Sequence, residues 1–185
     1  EAYVIEGKVI KHPGHLITLL QQNVSHNLEG ESLEALSQGL PDEMLKERAG
    51  TFVSIKKDGV LRGCIGTIQP TRKNIAEEII HNAISAGTKD PRFYPVNKDE
   101  LDELVYSVDV LKEAEPIDSM AQLDVIKYGV IVRSGYKSGL LLPNLNGINT
   151  PSEQVSIALK KAGIKPNENY TMERFEVIRH EVKIN

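Results

Sequence analysis

The segment Leu61-Arg62-Gly63-Cys64-Ile65-Gly66 gathers the sequence's one cysteine, a guanidinium two positions before it and two nearby glycines. Thiolate is the nucleophilic form of cysteine, and a neighbouring guanidinium favours it over the thiol. Two glycines inside a strand point to the close approach of a backbone, a bulge or a ligand. If Asp58-Gly59 is a two-residue turn, Lys57 faces Val60, Ile55 faces Arg62, Val53 faces Cys64 and Thr51 faces Gly66. In that register Arg62 and Cys64 share one face and Gly63 points to the other. Cys64 would then act as a nucleophile, with Arg62 lowering its pKa or holding an anionic group. The same residues also suit a packing role, because cysteine is among the most buried side chains. No general base is identifiable beside it.

A second cluster is Asp90-Pro91-Arg92-Phe93, where an acid, a base and an aromatic surround a rigid proline. Loops over a rigid scaffold often carry binding groups, so Asp90 and Arg92 are expected to line the same site as Arg62, Gly63, Cys64 and Gly66. The alternative is an Asp90–Arg92 turn paired with itself, with Phe93 tucked into the core.

Metal chemistry has little to stand on. His12 and His15 have a spacing seen in some metal sites, but no second pair of Cys or His ligands accompanies them. His81 and His180 have no evident catalytic partners. One cysteine cannot supply an iron–sulfur cluster, and Gly63 and Gly66 precede no helix N-terminus that could receive a pyrophosphate. Phosphate-loop, nucleophile-elbow and paired zinc signatures are absent. The expectation is a chain with no metal and no cofactor of its own.

Composition narrows the setting. The 185 residues are 40% hydrophobic and 26% charged, as in ordinary globular domains, and their number is ample for a core. A net charge of −4, without basic clusters interleaved with aromatics, argues against a nucleic-acid partner. No apolar run approaches the roughly 20 residues of a membrane span, and no signal-peptide pattern is visible. A cytoplasmic location is the expectation. The chain begins at Glu1 rather than Met, consistent with a processed or excised piece of a longer polypeptide.

These groups must be held by a scaffold, and its elements can be read from periodicity. Leu16, Leu20, Val24 and Leu28 predict an amphipathic first helix, and Leu33, Leu36 and Leu40 a short one. Thr51–Lys57 and Val60–Ile68 predict a hairpin on Asp58-Gly59. Pro70 or Thr71 should open a helix with apolar Ile75, Ile79 and Ala83, ending at Gly87. Asn97 and Glu100 resemble a capping box for a short helix through Leu104. A strand over Val105–Leu111 and a hairpin of Val130–Arg133 with Gly139–Leu142 follow. Thr150-Pro151-Ser152-Glu153 predicts a capped helix that stops at Gly163, and Phe175–Ile184 one long closing strand. Five or six strands and four or five helices, joined mostly by hairpins, predict an α+β fold: a largely antiparallel mixed sheet with flanking helices. Residues 1–185 read as a single domain.

In their order, Leu61-Arg62-Gly63-Cys64-Ile65-Gly66-Thr67, Asp90-Pro91-Arg92-Phe93, Glu100-Leu101, Tyr128-Gly129-Val130 and Leu141-Leu142-Pro143 resemble the signature of the AMMECR domain family. Arg174-Phe175 and Arg179-His180 resemble its prokaryotic branch, the A component of the AmmeMemoRadiSam system. The resemblance covers about Leu16 to Val182. It implies two interdependent lobes, larger and smaller, around an antiparallel sheet, with the glycine–cysteine motif near the groove between them. It also implies partnership with a Memo-type protein and a radical S-adenosylmethionine enzyme in modifying some macromolecule. Gly87-Thr88-Lys89 is more polar than the family's usual approach to the Asp-Pro-Arg-Phe block. Two functions therefore compete: a recognition or scaffold subunit, which the lack of a base beside Cys64 favours, and an enzyme or small-ligand site using Cys64 as nucleophile.

Overall fold

The computed structural model describes residues 3–5, 8–10 and 40–181. The expected first helix and the Leu33–Leu36 spacing lie outside them, as do His12 and His15. The chain divides into two compact units, one of residues 1–110 and 179–185, the other of residues 111–178. No helix among the described residues is long and apolar enough to cross a membrane.

The first unit carries a hairpin of β1 (Tyr3–Ile5) and β2 (Lys8–Ile10), then a short helix α1 (Asp42–Lys46). Strands β3 (Thr51–Lys57) and β4 (Val60–Gly66) form the expected hairpin, with Asp58 and Gly59 at φ of 51° and 75°. Positive φ at both turn positions is what the twist of a two-residue hairpin requires. Helix α2 (Ile75–Thr88), a 3-10 segment (Lys98–Glu103) and β5 (Leu104–Leu111) follow. With β10 (Val177–Glu181) they make a four-stranded sheet of order β10-β5-β3-β4, so β4 is its outer strand. Val53, Ile55, Tyr106 and Val108 of the sheet pack with Ile75, Ile79, Ala83 and Ala86 of α2 in one core.

The second unit holds β6 (Glu115–Ile117), a 3-10 turn (Met120–Gln122), β7 (Gly129–Ser134), β8 (Lys137–Leu141), α3 (Pro151–Ala162) and β9 (Thr171–Phe175). Its sheet runs β6-β9-β7-β8. Val130, Val132 and Leu141 pack with Val155, Ala158 and Leu159 of α3. That helix begins and ends where its sequence says: Thr150 accepts from the Glu153 amide within a capping box, Pro151 opens the first turn, and Gly163 closes it at φ 67°.

The fold is α+β, with antiparallel strands in two four-stranded sheets beside the two-stranded β1–β2 hairpin. Three sequence expectations need correction. Helix α2 is capped by Asn74, whose side chain accepts from Glu77, and not by Pro70 or Thr71, because the amides of Thr71 and Arg72 are taken by Glu78. The closing strand is two strands in different sheets, parted at Glu176. The third correction concerns register and bears on the site.

Candidate functional site

Strands β3 and β4 pair as expected at Lys57–Val60 and Lys56–Leu61, then slip by one residue, so that Ile55 pairs with Gly63, Ser54 with Cys64 and Val53 with Ile65. Arg62 is the extra residue of a β-bulge. The uniform two-residue alternation does not hold there: Ile55 does not face Arg62, Val53 does not face Cys64, and Phe52 rather than Thr51 faces Gly66. A bulge bends its strand and re-aims the extra side chain.

Arg62 is accordingly sent away from the thiol's partners and into the loop after α2. Its Nε and Nη2 donate to the two Glu100 carboxylate oxygens at 2.9 and 3.0 Å, and its Nη1 and Nη2 donate to the carbonyls of Tyr94 and Pro95. Arg62's hydrogen bonds hold the Glu100 carboxyl below the ordinary carboxylate range, aided by the Asn97 amide. Four of the five guanidinium N–H donors are thus spent on a cross-brace.

Cys64 sits half-buried, and its sulfur lies 3.4 Å from the Ser54 hydroxyl, which donates to it. The outward edge of its peptide is covered by side chains instead of another strand. Asp90 Oδ2 accepts from the Cys64 amide at 2.9 Å, and Arg92 Nη2 donates to the Cys64 carbonyl at 3.3 Å. Asp90 and Arg92 also bind one another, Nε to Oδ1 at 3.0 Å and Nη2 to Oδ2 at 2.7 Å. The Arg92 hydrogen bond, outweighing burial and joined by the Cys64 and Arg92 amides, holds the Asp90 carboxyl down to about 2. The self-paired turn and the shared location are therefore both present. Phe93 is half-exposed rather than in the core, with the Arg92 guanidinium 5.3 Å from its ring centre.

The two glycines are explained by packing. A Cβ on Gly63 would fall 2.2 Å from the Ala86 carbonyl oxygen of α2, and one on Gly66 would fall 2.2 Å from the Phe52 ring. Beside this strand an open cavity of about 620 Å³ is lined by Arg62, Pro91, Arg92, Phe93 and Tyr94. The thiol is not among its lining groups. Tyr94 is 90% exposed, and Val60 and Leu61 on the same strand are exposed too.

Sequence reasoning missed the support beneath the site. Glu78, fully buried in α2, accepts from the Thr67 and Thr71 hydroxyls at 2.7 and 2.8 Å and from the Thr71 and Arg72 amides at 2.7 Å each. Burial pushes this carboxyl up, but those four bonds together hold it below the usual range. Asn82, also buried, ties Thr51 to Thr67. The helical spacing of Glu78 with Asn82 was the available signal: two polar residues four apart on an otherwise apolar face. His180, on β10, is kept neutral more readily by burial, against the pull of Asp109 and Glu43. Among the described residues, no group of three or more His, Cys, Asp or Glu is placed to hold a metal ion.

Comparison with known proteins agrees with the motif blocks. A Clostridium acetobutylicum protein is 57% identical over 151 residues, which are 82% of this chain but only 32% of that protein. A Thermotoga maritima protein is 50% identical over 145 residues, 77% of this chain and 83% of its own. The chain therefore spans about a third of the clostridial relative's length and most of the Thermotoga one. The crystal structure of an uncharacterized protein from Pyrococcus horikoshii matches with a TM-score of 0.77 at 30% identity, covering 90% of this chain and 87% of that one. The model of the AMMECR1 family matches residues 17–184, a span that includes every motif and bond of this site, and the chain belongs to that family.

Proposed function

We propose that the chain is a non-catalytic recognition or scaffold component that works beside a Memo-type protein and a radical S-adenosylmethionine enzyme in modifying a macromolecule. The observation that carries this reading is where the polar groups of the motif are spent. Arg62 braces Glu100 and two carbonyls, and Asp90 with Arg92 closes the Cys64 peptide edge. Among the described residues the one polar side chain bonded to the thiol is a hydroxyl donor, Ser54, which is no general base. What remains accessible is a rigid platform with exposed Val60, Leu61 and Tyr94, and exposed aromatics are favoured anchors for protein partners. The clostridial relative, of which the matching region is only 32%, is consistent with a module that operates alongside other domains. The partner identities rest on the family resemblance alone.

The test is a binding measurement between this chain and the Memo-type and radical enzymes of the same genome. Tyr94→Ala with Val60→Ser should weaken association at least tenfold, about 1.4 kcal/mol. Cys64→Ser should bind normally and support the full modification. A Cys64→Ser protein that binds but supports no product would overturn the reading.

The cavity favours a second reading, a small-ligand-binding protein, in which Cys64 would serve only for a ligand that reaches past the lining Arg92. Its volume of about 620 Å³ falls in the usual ligand range, and its guanidiniums and aromatics suit an anionic or planar ligand. Under that reading native Cys64 reacts rapidly with an alkylating reagent at neutral pH and slows in Arg92→Ala. A thiol that labels only after denaturation excludes it.

A further inference from the structure

All seven arginines of the sequence lie among the described residues, and five of them are paired with carboxylates: Arg62, Arg92, Arg133, Arg174 and Arg179. The other two, Arg48 and Arg72, have no carboxylate partner among the described residues, and they occur side by side. Arg48 Nε and Nη2 donate to the carbonyls of Arg72 and Pro70 at 3.0 and 3.1 Å. Among the described residues the Arg72 guanidinium bonds only to His81 of α2, its Nη2 lying 2.9 Å from Nδ1 and 3.0 Å from Nε2. A guanidinium remains charged at any relevant pH and offers five donors, so most of Arg72's capacity is unused.

The acid closest in sequence to His81 cannot serve as the counter-ion. Glu78 is wholly buried, and its oxygens already take four hydrogen bonds from Thr67, Thr71 and Arg72's own amide. Lys89, exposed and without an ion pair among the described residues, adds its charge to Arg72's in lowering the His81 pKa. The cluster is also pinned: the amide of Arg72 is fixed by Glu78, its carbonyl by Arg48, and His81 stands on a helix. An exposed, backbone-anchored guanidinium bonded to an imidazole, with no carboxylate on the guanidinium among the described residues, differs from the five carboxylate-paired arginine sites.

We propose that Arg72 and His81 form a binding site for a phosphoryl oxyanion, with Arg48 holding the Pro70–Arg72 backbone in place. A phosphate group accepts bidentate bonds from guanidinium and carries enough charge to offset several cations. It can also accept from an imidazole N–H. This site uses the outer side of the β4–α2 connection and is independent of the Cys64 platform.

Binding makes a signature that a merely structural arginine does not. Burial, Arg72 and Lys89 together push the His81 pKa down, against the weaker opposite pull of Glu78. An anion placed among these cations reverses their effect and raises it. The experiment follows the His81 ring by NMR, in the intact chain, while inorganic phosphate or glycerol phosphate is added at constant ionic strength. Saturable shifts with a rise in the His81 pKa, weakened at least about tenfold in Arg72→Gln and partly restored in Arg72→Lys, are expected. Tighter binding of glycerol phosphate would identify an organic monoester as the ligand class, and equal or tighter inorganic phosphate the free ion. Shifts reproduced by sodium chloride, or unchanged in a folded Arg72→Gln protein, would overturn the proposal. The Arg72 side chain is exposed and its Glu78 bond comes from the backbone, so the variant keeps that anchor.

Discussion

Strand β4 in the first unit and strand β8 in the second are both the outer strand of a four-stranded sheet and the second arm of a hairpin. Each also places a glycine beneath a helix. A Cβ on Gly63 would lie 2.2 Å from the Ala86 carbonyl oxygen, and one on Gly139 would lie 2.4 Å from that of Ala158. The covers of the two edges differ. On β8 the helix that packs above supplies its own lysine, with Lys161 Nζ donating to the Leu140 carbonyl at 2.9 Å. On β4 the cover comes from a separate loop, through Asp90 and Arg92. The glycine is thus a packing device used twice, and what distinguishes the motif-bearing edge is the loop that closes it and the cavity this loop lines.

The helices repeat the contrast. Glu78 and Gln154 occupy the same position, four residues after the N-cap, and both are fully buried. Glu78 has its four donors. Gln154's side chain has one bond, Nε2 to the Tyr128 carbonyl, and its Oε1 has no partner among the described residues. Glu78→Ala should have the largest effect, because it strands donors on Thr67, Thr71 and Arg72. The expected cost is about 4 kcal/mol, measured by urea unfolding, with loss of amide-exchange protection centred on residues 67–72. A loss below about 1 kcal/mol would mean that the loop stands without the carboxylate.

Next in size are the paired glycine variants. Gly63→Ala and Gly139→Ala each force a methyl into a helix carbonyl, a contact that only movement of the helix can relieve, so each should cost about 2–3 kcal/mol. Exchange protection should fall in α2 for the first and in α3 for the second. Equal effects would confirm a shared packing role. If Gly63→Ala were tolerated, the reading of that glycine as packing would fail.

These particulars show what could be read from sequence. Asp58-Gly59, the Thr150–Glu153 box and Gly163 were legible because turn and cap chemistry is decided within four or five residues. The bulge at Arg62 was not, since a strand's register is set by its partner and by the loop that receives the guanidinium. The Asp90–Arg92 pair was foreseen, but its attachment to the Cys64 peptide depends on residues 26 and 28 positions apart. Glu78 left only its spacing with Asn82 as a signal, because its threonines make a buried acid tolerable only once the chain has folded around it. The short strands β1, β2 and β6 carry too few residues for a period to register.

The third prediction asks how firmly the loop holds the β4 edge. Asp90 has its folded pKa lowered from 3.8 to about 2, so its contribution is present above the unfolded value and is lost as pH falls through that interval. Arg92 is about half exposed and screened by solvent, which reduces the contribution to about 1–2 kcal/mol. Wild type should therefore lose more stability than Asp90→Asn between roughly pH 5 and 2, in unfolding curves recorded at each pH. Parallel pH profiles would show that the carboxylate charge is not what closes the edge.

The smallest effect is expected from Gln154→Met. The substitution removes an orphaned buried oxygen, which costs free energy as it stands, and replaces the side chain with one of similar length and an apolar surface that suits Val155 and Ala158 nearby. Against this, the Tyr128 carbonyl loses its donor. Tyr128 is held independently, since its amide bonds to the Asp124 carbonyl at 2.7 Å and its ring lies 4.4 Å beneath the Arg174 guanidinium. The two changes nearly cancel, so stability should move by less than about 1 kcal/mol in either direction. A loss approaching that of Glu78→Ala would mean that Gln154's oxygen is bonded to a buried water, as polar cavities of folded proteins commonly provide. The two helix positions would then be equivalent, each a fully satisfied polar anchor, and the contrast between the units would rest on the edge loop alone.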